Sequence, residues 1–187
     1  MRGGAISAYP NSGSGVAAPG LEIPLETLLE IPPAQIDALL GHWPVARLGT
    51  VAADGRPHQV PVVFARTAEA LWMPVDGKPK KGGELVRIAN VRRDPRVSLL
   101  LDHYDADWQR LWWVRVDGEG SVVEIADPAE DRHVAEVVQA LRDKYPQYSD
   151  TPLFPGPATL IRVRPLRRRS WCPGPSAPAI PPDGGAG

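Results

Sequence analysis

Four short stretches of this chain hold the residue types best suited to chemistry. Lys78, Lys80 and Lys81 are followed by Gly82-Gly83, and then by Leu85, Ile88 and Ala89 at helical spacing. A helix N-terminus offers unpaired N–H groups and a partial positive charge. Lysines beside it, with glycines that let backbone approach an anion closely, make a phosphate cradle. A solvated lysine loop is the commoner fate of such a run, and spacing alone favours it.

The second stretch is Arg56-Pro57-His58-Gln59-Val60-Pro61. Strand alternation puts His58 and Val60 on one face, Gln59 and Pro61 on the other. His58 suits contact with a cofactor ring or proton transfer, although most strand histidines only pack or hydrogen-bond. In the third stretch, Asp102-His103-Tyr104-Asp105-Ala106-Asp107-Trp108, acids and a histidine invite a metal. Neighbours on a strand end point in opposite directions, and no second histidine sits at ligand spacing, so the reading is a polar turn and no metal site. The fourth is Trp108-Gln109-Arg110-Leu111-Trp112-Trp113-Val114-Arg115-Val116. Trp113 and Arg115 share one face; Arg110, Trp112 and Val114 share the other. One face fills the core, so the other presents large amphipathic groups to a partner, a ligand or solvent.

Other chemistries find no support. The chain has no Gly-x-Gly-x-x-Gly after a strand and no Walker loop. No nucleophile–base pair indicates a hydrolase. Arg162, Arg164, Arg167, Arg168 and Arg169 read as a solvated, aggregation-blocking edge strand rather than a nucleic-acid surface, because the formal net charge is only -1. Cys172 is the single cysteine, which excludes an intramolecular disulfide, and it reads as a spare thiol at the tail. No apolar run approaches the ~20 residues of a membrane span, and the first residues lack the apolar stretch of a secretory signal. The expectation is a cytoplasmic protein.

The 187 residues fit one domain plus tails. Residues 1–30 read as a disordered leader and 173–187 as a disordered tail, both Gly-, Ser-, Ala- and Pro-rich. Between them, 31–172 form the one ordered domain. Ile36, Leu39 and Leu40 after Pro32-Pro33 mark a first helix. Val45–Ala52 and Pro57–Ala65 read as strands joined at Asp54-Gly55, a strong hairpin signal. Leu71–Val75 is a third strand. The helix with Leu85, Ile88 and Ala89 must end before Pro95. Arg96–Asp102 is a fourth strand. Trp108–Ile125 is a long strand with a bulge or turn at Asp117-Gly118. Asp127-Pro128-Ala129-Glu130 reads as a helix start, with Val134, Val137, Val138 and Leu141 on its buried face. Thr159–Arg164, continuing to Trp171, is the last strand. Consecutive strands with hairpin turns argue for a mainly β, antiparallel architecture with a few helices, closed as a small barrel.

Several segments resemble the pyridoxamine 5′-phosphate oxidase-like split-barrel proteins. They are Val45–Phe64 with its Asp54-Gly55-Arg56-Pro57-His58 hairpin, Val75–Lys81, Arg87–Tyr104 with Asn90 ahead of Asp94-Pro95-Arg96-Val97-Ser98, and Trp108–Arg115. Asp102-His103-Tyr104 and Arg110-Leu111-Trp112-Trp113-Val114-Arg115 resemble the actinobacterial coenzyme F-420-dependent oxidoreductase subgroup. The resemblance covers roughly residues 38–172. It implies a split barrel of about six antiparallel strands, FMN-binding-like, in a homodimer with two cofactor sites at the interface. It also implies that Lys78, Lys80, Lys81 and Arg87 hold the cofactor phosphate and that His58, Val60 and Pro61 lie against its ring. Trp113 joins them as a stacking candidate. Relatives often carry hydroxyl residues where this chain has Gly82-Gly83, so backbone N–H groups take that part here. The implied activity is hydride transfer from a deazaflavin, coenzyme F-420, to an unknown small organic substrate, with His58 or Tyr104 as proton source. The alternatives are an FMN-dependent oxidase-like enzyme and a non-catalytic flavin, deazaflavin or haem binder.

Overall fold

The computed structural model describes residues 30–75, 84–126, 131–150, 153–154 and 157–174. The lysine loop, Asp127–Glu130, and all but the innermost residues of both tails lie outside them. Helix α1 is Pro33–His42, with proline pre-setting its first turn. Strands β1 (Ala46–Val51) and β2 (Pro57–Val62) follow, paired from Ala46↔Val62 to Val51↔Pro57. Gly55, at φ +81°, takes the left-handed position that the Asp-Gly turn requires. Next come β3 (Ala65–Arg66), β4 (Leu71–Pro74), α2 (Val86–Arg93) and β5 (Arg96–His103). A 3-10 turn, Trp108–Arg110, leads into the 14-residue β6 (Trp112–Ile125). Helix α3 (Arg132–Lys144) and β7 (Ala158–Trp171) complete the domain.

The described strands form one antiparallel sheet in the order β2-β1-β5-β6-β7-β4-β3. Seven strands replace the expected six, because the run Pro57–Ala65 breaks after Val62. No hydrogen-bonded ladder joins β2 to β3, so the barrel is not closed as expected. Yet only Val63 and Phe64 separate these two edge strands in sequence. Three Cα steps reach about 11 Å at most, so the sheet must curl until its edges nearly meet. Tyr145 spans that seam. Its hydroxyl accepts from the Phe64 N–H at 2.9 Å and lies 2.9 Å from the Pro44 and Phe64 carbonyl oxygens. Tyr145→Phe leaves a buried N–H without its partner, and a loss of about 2 kcal/mol is expected in chemical denaturation. A midpoint equal to that of the wild type would show that the hydroxyl is not needed there.

The core follows the alternation. Leu48, Leu99, Leu101, Val114 and Val116 point inward with Ile161 and Val163, and α1 and α2 cover them with Leu39, Leu40, Ile88 and Val91. On the opposite face, α3 packs Val134, Val137 and Leu141 against Trp72, Ala158 and Leu160. Cys172 is buried in the first cluster, not spare in a tail. The cap of α3 is Asp131 rather than Asp127: its carboxylate accepts from the His133 and Val134 N–H groups. Strand β7 is not a simple edge. It lies between β6 and β4 over Leu160–Val163, and only its later, basic half is open on one side. There Arg164 pairs with Glu119, Arg167 with Asp117 and Arg168 with Asp37.

The expected irregularity at Asp117-Gly118 is a bulge. Asp117 faces Arg167 and Gly118 faces Pro165, so Leu166 is the extra residue. Proline has no N–H to give the ladder, which is why pairing slips at this point.

Candidate functional site

The strand register sorts the sheet's outward side chains into rows, since paired residues share a face. One row reads Asp102, Trp113, Trp171 across β5, β6 and β7. The next reads Pro61, Arg47, Leu100, Arg115, Arg169. The third reads Gln59, Gly49, Ser98, Asp117, Arg167. Rows stand two residues apart along each strand, roughly 7 Å. An aromatic row, a guanidinium row and a small polar row therefore lie side by side.

A cleft of about 740 Å³ opens over this face. Its lining includes Arg47, Leu100, Trp113, Arg115 and Trp171, together with Gly49, Gln59 and Ser98. A second cavity of about 520 Å³ adjoins it, sharing Gly49, Gln59 and Ser98 and reaching Gly55, Arg96 and Leu166. Ion pairs orient the cationic walls. Arg47 meets Asp102 at 2.5 Å, and Asp117 takes Arg115 at 3.2 Å and the Ser98 hydroxyl at 3.0 Å.

At the aromatic end the cleft turns around the rim of the sheet to Leu111, Trp112, His103 and Tyr104. Trp112 is buried and holds Trp43 edge-on at 4.6 Å between ring centroids; His103 stacks on Trp112 at 6.4 Å. The His103 Nε2 lies 3.5 Å from an Asp105 carboxylate oxygen, and Arg110 lies 3.2 Å from the same oxygen. The Asp107 N–H, and after it the Arg110 and His103 side chains, hold the Asp105 carboxyl below the usual range against partial burial. These bonds fix a turn that presents Tyr104 and Trp108 to solvent, 83% and 75% exposed.

Of the residues singled out in the sequence, Trp113 lines the cleft. Pro61 lies on the same outward face, beside Arg47. His58 and Val60 lie on the inward face of β2. Val60 packs against the core, and the His58 Nδ1 is 3.4 Å from the Thr50 hydroxyl, which accepts from the Asn90 side-chain amide at 3.0 Å. Arg87 sits in the first turn of α2. Lys78, Lys80 and Lys81 fall outside the described residues. The described part of the chain thus does not gather the predicted set into one place. It adds Arg47, Leu100, His103, Arg115 and Trp171. Arg115 carried a signal, since it alternates with Trp112 and Val114; Arg110 does not share that strand face, because it belongs to the 3-10 turn. Arg47 and Trp171 gave no signal, because only strand pairing brings residues so distant in sequence to one face.

The family model described as pyridoxamine 5′-phosphate oxidase matches residues 32–172. The chain belongs to that family. The match spans both helices that cap the inner core and every strand of the sheet. No curated protein matches the chain in sequence. Solved structures of the same fold include a conserved hypothetical protein from Mycobacterium tuberculosis, 22% identical, with a TM-score of 0.58 over 77% of this chain and 86% of that one. A heme-binding protein from Mycobacterium smegmatis is 19% identical, with a TM-score of 0.56 over 78% of this chain and 56% of that one. The heme storage protein HutZ from Vibrio cholerae is 16% identical, with a TM-score of 0.53 over 72% and 90%. At these identities the likeness is one of fold. Among the described residues of this family member, no helix is long and apolar enough to cross a membrane.

Proposed function

We propose that this family member is an oxidoreductase that uses coenzyme F-420 to pass a hydride to a small organic substrate, working as a homodimer. The carrying observation is the outward cleft, where indoles and guanidinium groups stand in adjacent rows. Flat indole faces suit a planar tricyclic ring, and guanidinium groups suit its anionic substituents. Gly49 in the lining leaves space that a side chain would otherwise occupy. The deazaflavin supplies the hydride when bound. The chain's own part is to hold the ring, keep water off it with Trp113, Trp171 and Leu100, and fix charge around it. Lys78, Lys80 and Lys81, with Arg87 beyond them, hold the phosphate in this reading, and Pro61 approaches the ring from the outward face of β2, whereas His58 and Val60 lie on its inward face and support the strand from the core.

The test is a fluorescence titration of the purified protein with F-420 and, separately, FMN. F-420 is expected to bind the tighter. Changing Lys80 and Lys81 together to alanine removes two charge-assisted hydrogen bonds, and a loss of affinity of roughly 100-fold or more is expected. Tighter binding of FMN would move the protein to the flavin branch of the reading. Affinity untouched by the lysine changes would remove those residues from the phosphate site.

A further inference from the structure

Tyr104 and Trp108 are the most exposed large apolar side chains among the described residues, and one turn carries both. Large apolar groups gathered in one place mark an interaction surface in a way that scattered ones do not. This turn is also pinned. The Asp105 carboxylate accepts from the Asp107 N–H, the Asp107 carboxylate accepts from the Gln109 N–H, and Arg110 pairs with Asp105. A partner therefore meets a preorganised surface, and little ordering entropy is lost on contact.

The end of β7 lies near the same turn. His103, at the end of β5, faces Trp112, and Trp171, at the end of β7, faces Trp113. Both strands finish at one edge of the sheet, two strand spacings or about 10 Å apart. Cys172 is buried, and its thiol donates to the Gly174 carbonyl at 3.2 Å, which fixes where the chain leaves the sheet. Beyond Gly174 the sequence reads Pro175-Ser176-Ala177-Pro178-Ala179-Ile180-Pro181-Pro182, outside the described residues. Pro175, Pro178 and Pro181 recur every third residue, and no charged group stands among them. A polyproline II helix has three residues per turn, so these three prolines share one of its faces. Its rise of about 3.1 Å per residue lets 175–182 reach about 25 Å, well past the turn.

We infer that residues 175–182 dock in polyproline II form on the Tyr104 and Trp108 turn of their own chain. Proline rings pack against aromatic side chains. The helix makes no internal hydrogen bonds, so its carbonyls accept from the Trp108 indole N–H and the Tyr104 hydroxyl. A short tether supplies an effective concentration on the order of 1 mM, so a contact with a Kd of about 0.1 mM holds the segment docked about ten parts to one. Tyr104 also lines the cleft, so the docked segment covers the rim of the cleft. The inference does not depend on the cofactor reading.

The experiment follows the Trp108 indole N–H by NMR in the nitrogen-15-labelled full chain, the signal being assigned with Trp108→Phe. The signal is expected to move when the chain is ended after Gly174, and to move alike when Pro175, Pro178 and Pro181 are all changed to alanine in the full chain. A synthetic peptide of residues 173–187 added to the shortened chain is expected to return it in a saturable way. The same peptide with the three prolines replaced by alanine is expected to bind at least 10-fold more weakly. A signal identical in the full and shortened chains overturns the inference. The turn is then bare or covered by a second copy, and the homodimer reading is untouched. Equal binding of the two peptides also overturns it, because the threefold proline spacing then plays no part.

Discussion

Gly118→Ala is expected to cost about 3 kcal/mol, because its added methyl meets the closest contacts of any described glycine. The added carbon would lie 2.5 Å from the Arg164 carbonyl oxygen and 2.9 Å from a Val163 methyl. The oxygen is backbone, held in the β6–β7 ladder next to the bulge, so it cannot swing aside as a flexible side chain would. Strands β6 and β7 must separate locally, and they are the two longest strands of the sheet. Overpacking of a well-filled interior costs ~1–3 kcal/mol even where side chains can adjust. Total stabilities of ~5–15 kcal/mol leave little margin after such a loss. Gly41→Ala is the matched control. Gly41 lies in α1 with nothing within 4 Å of its would-be Cβ, so a gain of roughly 0.5–1 kcal/mol is expected there. Urea denaturation of both variants checks the pair. A Gly118→Ala midpoint equal to the wild type's would mean that the strands part at no cost.

The second large effect is a dependence of stability on pH that one lysine imposes. The Lys144 ammonium donates to the Leu40 carbonyl at 3.3 Å and stands 3.6 Å above the centre of the Phe64 ring. It is enclosed between the end of α3, α1 and the seam beside Tyr145. Burial pushes its pKa down to about 7. The unfolded chain keeps an ordinary lysine near 10.4. Between those values the unfolded state binds the extra proton, so stability rises with pH. Below about pH 7 both states are charged and the full burial penalty is present. A gain on the order of 2 kcal/mol is expected between pH 7 and pH 9. Tyr145, which burial holds neutral above the usual phenol range, contributes the opposite slope only above about pH 10. In Lys144→Met the rise between pH 7 and 9 is expected to vanish, and the variant should be the more stable protein at pH 6. Denaturant midpoints at four pH values decide the matter. Wild type and variant running parallel across that range would show that Lys144 is not the group responsible.

Much of this architecture was legible locally. The Asp54-Gly55 turn fixes the β1–β2 register, because only glycine accepts its φ of +81° cheaply. The alternation of Trp112, Trp113, Val114 and Arg115 announced one buried and one outward face, and Trp112 and Trp113 fall on those two faces. Helix α2 lies where Leu85, Ile88 and Ala89 put it, ending before Pro95. Each of these rests on residues close in the chain, where turn chemistry and side-chain period act directly. The cap of α3 was misplaced even so, because Asp127 and Asp131 offer the same carboxylate and only the folded helix shows which one its N–H groups meet.

What residues far apart do together was not legible. That Trp171 stands opposite Trp113, that Arg47 stands in line with Arg115, and that β2 and β3 sit at opposite edges of one sheet all follow from strand order, which non-local pairing decides. Strand order depends on how the two hydrophobic clusters fill, and many residues share that choice. So the types and spacings along the chain determined a mainly antiparallel β domain with short helices and a Trp- and Arg-bearing face. The tertiary structure alone decided that this face closes into a cleft over Gly49, because a cleft exists only once five strands lie side by side.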